Sequence, residues 1–173
     1  MIRAMRKAEE LVASFVGVQP PVLVDEIAHR LGATVVFEPY SGPDAIAGML
    51  YRKDATTVIG VNSSHSKQRQ RFTIAHEIGH LLLHPGEMFL DGAYNFRRQV
   101  GSPGTNRREA EANAFAASLL MPEAHIETAL ERILSRNPHA SPQEIAEAVA
   151  KLFLVSRQAA ELRLTGLGII SVS

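Results

Sequence analysis

Residues 71–80, RFTIAHEIGH, constrain this chain more than any other stretch. Turning each residue by about 100° around a helix axis puts Thr73, His76, Glu77, His80 and His84 on one stripe. Phe72, Ile74, Ala75, Ile78, Leu81, Leu82 and Leu83 cover the remaining arc. A helix that is apolar on every other side belongs in a core, yet burying imidazoles and a carboxylate is costly unless each finds a partner. Histidines four apart on one face can converge on one zinc ion, and a glutamate beside the first can take a proton from an attacking water. The alternative is an ordinary helix whose histidines are satisfied by hydrogen bonds. The choice turns on a third ligand.

Composition limits where that ligand can come from. The chain has no cysteine, which removes thiolate ligands, disulfides and a cysteine nucleophile, so any metal must use His, Asp or Glu. Eighteen basic and eighteen acidic residues give zero formal net charge, which argues against a strongly basic nucleic-acid surface or a polybasic membrane anchor. A length of 173 residues suits a single domain over 1–173 with a real core. The LVASFVGV stretch follows Glu9 and Glu10 and precedes Gln-Pro-Pro, which fits an amphipathic helix ending before Pro20 better than an export signal. The expectation is a cytoplasmic protein. No apolar run approaches the roughly 20 residues of a membrane span, and there is no internal repeat.

Pro21, then Val24, Ile27, Ala28 and Leu31 at helical spacing, with Gly32 beyond, predict a short helix starting at Pro21. ATVVFEPY reads as a strand stopped by Pro39, and AGMLYRKDATTVIGVN as two strands around a turn near Asp54. Helical periodicity then takes over at 66–84, 105–121, 122–136, 141–153 and 156–164. Ser141-Pro142-Gln143-Glu144 forms a capping box. Strands early and helices late indicate an α+β fold, a small mostly antiparallel sheet packed against a helical bundle with a zincin-like active-site helix. Residues 85–104, with four glycines and two prolines, read as a long functional loop.

A catalytic zinc takes three protein ligands and keeps one position open. Six residues beyond His80, where a metzincin needs its third histidine, stands Gly86. His84 lies one turn along, and a turn rises about 5.4 Å, so it reads as structural or capping. In NRREAEANAFAASLLMP, residues 106–122, Glu109 shares a face with Ala112, Asn113, Ala116 and Leu120. Glu111 falls with Arg107, Arg108, Phe115 and Ser118 and reads as a solvated helix charge. Glu109 is therefore the carboxylate on the apolar side, where a cation explains it best. Asn113 is placed to accept from the free ring N–H of a ligating histidine and fix its tautomer.

RQRFTIAHEIGHLLLH followed by EAEANAFAASLLMP resembles the ImmA/IrrE family of zinc metallopeptidases, as do the upstream VDEIAHRLGATVVFEP and VIGVNSS. The resemblance covers residues 20–122, with the C-terminal helices of 122–166 less distinctive. It implies a thermolysin-like centre with His76 and His80 as ligands, Glu77 as catalytic base and Glu109 as third ligand. It also implies a protein substrate, a helix-turn-helix transcriptional repressor. Many members carry an additional sensor or helix-turn-helix domain, for which this chain has no room, so sensing is expected to lie with a partner or with regulated access to metal or substrate.

The function expected is a zinc-dependent endopeptidase, cofactor Zn2+, that relieves repression by cleaving such a repressor. The oxyanion partner is not evident: Tyr94, Arg97 and Arg98 are available but read more naturally as solvated loop residues. The GMLYRKD segment could pair with an extended substrate if it formed a sheet edge, or could be internal. A rival reading is a metal-stabilised protein that binds a repressor or antitoxin-like partner without cutting it. Glu77 argues against that, because structural zinc needs no general base. Direct DNA binding by SPQEIAEAVAKLFLVSRQAAELRL is disfavoured, because its helices look packed by Ile145, Val149, Leu152, Ala160 and Leu164 and only Lys151, Arg157 and Arg163 supply charge. Neither a nucleic acid nor a membrane is expected as partner.

Overall fold

The structure is a computed structural model that describes residues 1–15, 17–40, 46–86, 88–92 and 103–171, with only the backbone described for 88–92 and 103–106. Among the described residues the order is α1 (Ile2–Ala13), α2 (Val24–Arg30), β1 (Thr34–Glu38), β2 (Ile46–Lys53), β3 (Thr56–Asn62), α3 (Lys67–Leu83) and β4 (Met88–Gly92), then α4 (Pro103–Leu120), α5 (Glu123–Arg136), α6 (Pro142–Phe153) and α7 (Arg157–Gly166). The α+β expectation holds, with all four strands before the four closing helices.

The sheet runs β1-β3-β2-β4. β2 is antiparallel to both neighbours, joined to β3 by a turn in which Asp54 takes a left-handed φ of 52°, and only the β1–β3 pair is parallel. GMLYRKD therefore lies in an internal strand: Tyr51 faces Val58 on one side and Met88 on the other. With both edges of β2 paired, the segment cannot add a substrate strand.

Two local expectations change. β4 falls within the stretch read as a long loop, because Met88–Gly92 satisfies its backbone along the open edge of β2, a partner no local pattern reveals. α2 begins at Val24 rather than Pro21. The Val22 carbonyl is taken by the Arg71 guanidinium at 2.9 Å, and the helical ladder starts with Ile27 N–H donating to Leu23.

The core forms where one face of the sheet meets α3. Leu50, Ile59 and Val61 from the strands and Ile74, Ala75 and Ile78 from α3 are all buried, as are Phe115, Ala116, Leu119 and Leu120 of α4 behind them. Each such aliphatic or aromatic side chain contributes about 1.5–3 kcal/mol by leaving water. α3 is thus covered by the sheet on one side and by α4 on the other. α1 braces α4 through Ala4, Ala8 and Val12 and is tied to α7 by Glu9, which accepts from the buried Arg163 at 2.9 Å and from the Glu123 N–H at 3.1 Å.

The C-terminal helices pack as the periodicity indicates, with one exception. Ile145, Val149, Ala160 and Leu164 are buried, whereas Leu152 is 40% exposed and the neighbouring Phe153 fills the core position. The Ser141–Glu144 capping box is formed. No helix among the described residues is long and apolar enough to cross a membrane.

Candidate metal centre

α3 starts at Ser66, whose hydroxyl accepts from the Arg69 N–H, and every residue from Thr73 to His80 is buried. Two close approaches position the polar stripe of this helix. On the α4 side, a Cβ added to Gly79 would stand 3.2 Å from the Ala112 Cα and 3.2 Å from Phe115 Cδ1. A glycine lets the two helices come this near without either neighbour giving way. On the sheet side, a Cβ at Gly48 would run into the Thr73 methyl and lie 3.3 Å from Glu77 Oε1, so a glycine in β2 makes room for Glu77.

Because α3 and α4 approach so closely, His76, His80 and Glu109 meet. The two histidine Nε2 atoms are 3.0 Å apart, Glu109 Oε2 is 3.2 Å from His76 Nε2, and Glu109 Oε1 is 3.4 Å from His80 Nε2. Among the described residues these three form the group able to hold a metal ion. Ligand atoms about 2.0–2.1 Å from a tetrahedral zinc stand about 3.3–3.4 Å from one another, so the spacing suits such an ion with little adjustment.

The hydrogen-bond partners point the same way. Asn113 is exposed, yet its Oδ1 lies 2.9 Å from His76 Nδ1. An oxygen there is an acceptor, so Nδ1 carries the hydrogen and Nε2 turns a lone pair towards Glu109. A lone pair facing a carboxylate at this range is repulsive unless a proton or a metal cation stands between them, and two imidazoles with one carboxylate are a donor set that zinc accepts.

Electrostatics follow from burial. Desolvation drives the Glu109 carboxyl upward, but protons shared across the His76 and His80 contacts, standing where a metal cation would, outweigh it and hold the pKa at about 2. Burial lowers the His80 pKa, against the opposing hydrogen bond to Glu109. Glu109 is thus held as a carboxylate, while burial opposes a charge on His80.

Other residues depart from the sequence reading. Glu111 is no solvated charge: its Oε2 lies 3.2 Å from His84 Nε2, its Oε1 accepts from Arg107 at 3.0 Å, and its side chain is 21% exposed. The turn of α4 that aims Glu109 at the histidine pair aims Glu111 at the next histidine along α3. His84 stays outside the three-residue group, as its rise along the axis requires, and its Nδ1 lies 3.0 Å from His80 Nδ1. Arg52 on β2 gave no signal in the sequence. Its guanidinium donates to the carbonyls of Leu81, His84 and Gly86 at 2.7–3.1 Å, closing the C-terminus of α3. Tyr94, Arg97 and Arg98 lie outside the described residues.

A family model described as Peptidase_M78, IrrE N-terminal-like domain, matches residues 28–165. This chain belongs to the M78 peptidase family. Two relatives, each named radiation response metalloprotease IrrE, are similar to the M78 chain. The Deinococcus radiodurans protein is 40% identical over 75 residues, covering 43% of this chain and 22% of its own length. The Deinococcus deserti protein is 32% identical over 130 residues, covering 75% of this chain and 44% of its own length. The M78 chain therefore spans less than half of either relative. The resemblance carried by RQRFTIAHEIGHLLLH and EAEANAFAASLLMP is borne out by these matches. α1 precedes the M78 match although it packs on the helix bearing Glu109.

Proposed function

We propose that this chain is a zinc-dependent endopeptidase in which His76, His80 and Glu109 bind the metal and Glu77 is the catalytic base. The observation that carries the reading is the convergence of the three ligand atoms within 4.8 Å of one another, one residue away from the buried Glu77. When bound, zinc supplies a Lewis acid that polarises a peptide carbonyl and acidifies water. The Glu77 carboxylate accepts the proton of the attacking water and delivers it to the departing amine nitrogen. Asn113 Oδ1 holds the His76 ring in the tautomer that ligates. Gly48 leaves room beside Glu77, whose Oε1 would stand 3.3 Å from a Cβ at that position.

The proposal extends to a protein substrate, a helix-turn-helix repressor cleaved in the cytoplasm. Support for a protein substrate is the family's peptidase character and the two metalloprotease relatives; the repressor rests on the family resemblance. Direct DNA binding is not part of it. Of the three cations in the closing helix pair, Arg157 is paired with Glu147 and Glu161, and Arg163 is buried against Glu9 and Met121.

The test is metal analysis of the purified chain together with its incubation with a candidate helix-turn-helix repressor, using parent and Glu77→Gln. Zinc near one equivalent and cleavage by the parent but not by Glu77→Gln is the expected result. Binding of the repressor with no metal-dependent cleavage by either protein would transfer the assignment to a metal-stabilised binding protein.

A further inference from the structure

We propose that His84 and Glu111 are positioning residues that orient His80 for metal through a directed hydrogen-bond chain, an inference that rests on the metal reading above. The chain runs from His80 Nδ1 to His84 Nδ1 at 3.0 Å and from His84 Nε2 to Glu111 Oε2 at 3.2 Å, with Arg107 holding the other carboxylate oxygen at 3.0 Å. His84 is 6% exposed, so its ring is fixed by its surroundings rather than by water.

Direction follows from what each atom can do. A carboxylate only accepts, so the hydrogen between His84 and Glu111 sits on His84 Nε2. A neutral imidazole carries one ring hydrogen, which leaves a lone pair on His84 Nδ1. That atom must accept, and the hydrogen between the two Nδ1 atoms belongs to His80. His80 Nε2 is then left with its lone pair, and it is this atom that faces His76 Nε2 and Glu109. Asn113 does the same for His76 in one step. α4 thus contributes one ligand and the anchors for both histidine rings.

Partners of this type change metal affinity or activity about 10- to 100-fold when removed. The test uses the full chain with zinc alone as probe, its affinity read by competition with a chromogenic chelator. His84→Phe removes the acceptor, Glu111→Ala removes the anchor at a partly exposed position that the core does not need, and Glu111→Gln keeps an oxygen at the same reach. Zinc should bind about 10- to 100-fold more weakly to the first two and within about threefold of the parent to Glu111→Gln. Long-range proton–nitrogen spectra of the parent, with and without zinc, should place a hydrogen on Nδ1 of His80 and on Nε2 of His84. A hydrogen on Nδ1 of His84, or parental affinity in both His84→Phe and Glu111→Ala, overturns the proposal. A parent that binds no zinc but shows the expected tautomers sinks the metal reading and the role in ligation, while the hydrogen-bond chain stands.

Discussion

Gly79 of α3 faces Ala112 of α4 so closely that a side chain on Gly79 would meet the Ala112 backbone, at 3.2 Å from Cα and 3.3 Å from the carbonyl oxygen. This contact lies one residue before the second histidine of the motif and three after Glu109. The distance between the two helices is therefore set at the place where His76, His80 and Glu109 come together.

Gly79→Val is expected to force the helices apart. Overpacking costs about 1–3 kcal/mol, which exceeds the roughly 1 kcal/mol that replacing a helical glycine returns. Both the urea midpoint and the zinc affinity should fall, with Gly79→Ala intermediate. A Gly79→Val protein as stable as the parent and equally tight for zinc would refute the packing argument.

Metal removal should be visible as stability. Free zinc at about 100 times its dissociation constant adds about 2.7 kcal/mol to a protein that binds it only when folded. Chelation should lower the parent's Tm, and readdition should restore it. In Glu109→Ala that shift should shrink or vanish; an undiminished shift would mean that zinc binds elsewhere.

Gly48→Ala should separate catalysis from metal binding. The atoms nearest the added methyl are the Thr73 methyl, the Gly60 carbonyl oxygen and Glu77 Oε1. A misplacement of about 1 Å at a reacting group can cost about 100-fold, so kcat on a cleavable peptide should drop about 10- to 100-fold. Zinc content should stay at the parent's value. Loss of zinc in parallel with activity would show that the whole helix had moved.

Arg52→Ala should loosen the end of α3. Three carbonyls lose a charged donor, and after allowance for partial exposure the cost is about 2–3 kcal/mol. Urea unfolding measures it. Lysine at this position cannot reach three oxygens with a planar fork, so Arg52→Lys should recover less than half of the loss. Full recovery would show that charge alone, rather than the fork, closes the helix.

The capping box on α6 gives a pH signature away from the metal. Hydrogen bonds from the Ser141 N–H and hydroxyl lower the Glu144 pKa. A carboxyl whose folded pKa lies below its unfolded value stabilises the fold above the unfolded value and loses that contribution as pH falls through the folded one. The stability difference between parent and Glu144→Ala should accordingly be full at neutral pH and shrink in acid. A difference independent of pH would assign the effect to helix propensity instead.

Much of this was legible along the chain. The helix carrying His76, Glu77 and His80 showed in its periodicity, because an apolar surface broken by one polar stripe has few other uses. Helix rise sets His84 aside and the helical wheel picks Glu109, and the structure places Glu109 inside the three-residue group and His84 outside it. Asn113 was located one turn from Glu109 by the same wheel, and it does reach His76. Glu111 was misread, because a wheel assigns a residue to a face and does not say what stands opposite. A carboxylate beside two arginines looks solvated until the histidine of another helix is brought to it.

The sequence by itself determined the donor chemistry, the α+β order and the helical faces, since these depend on residue type and on periods of two and 3.6. Tertiary structure decided that β2 is internal, that Met88–Gly92 is a strand, that Arg52 closes α3, and that His84 and Glu111 join the histidine network. Apart from the His80–His84 contact within α3, each of these joins residues at least 27 positions apart or depends on which sheet edge remains open. Pairings between distant elements carry no local periodic signal: they exist because the packing of α3 on α4 and on β2 brings those groups within hydrogen-bond reach.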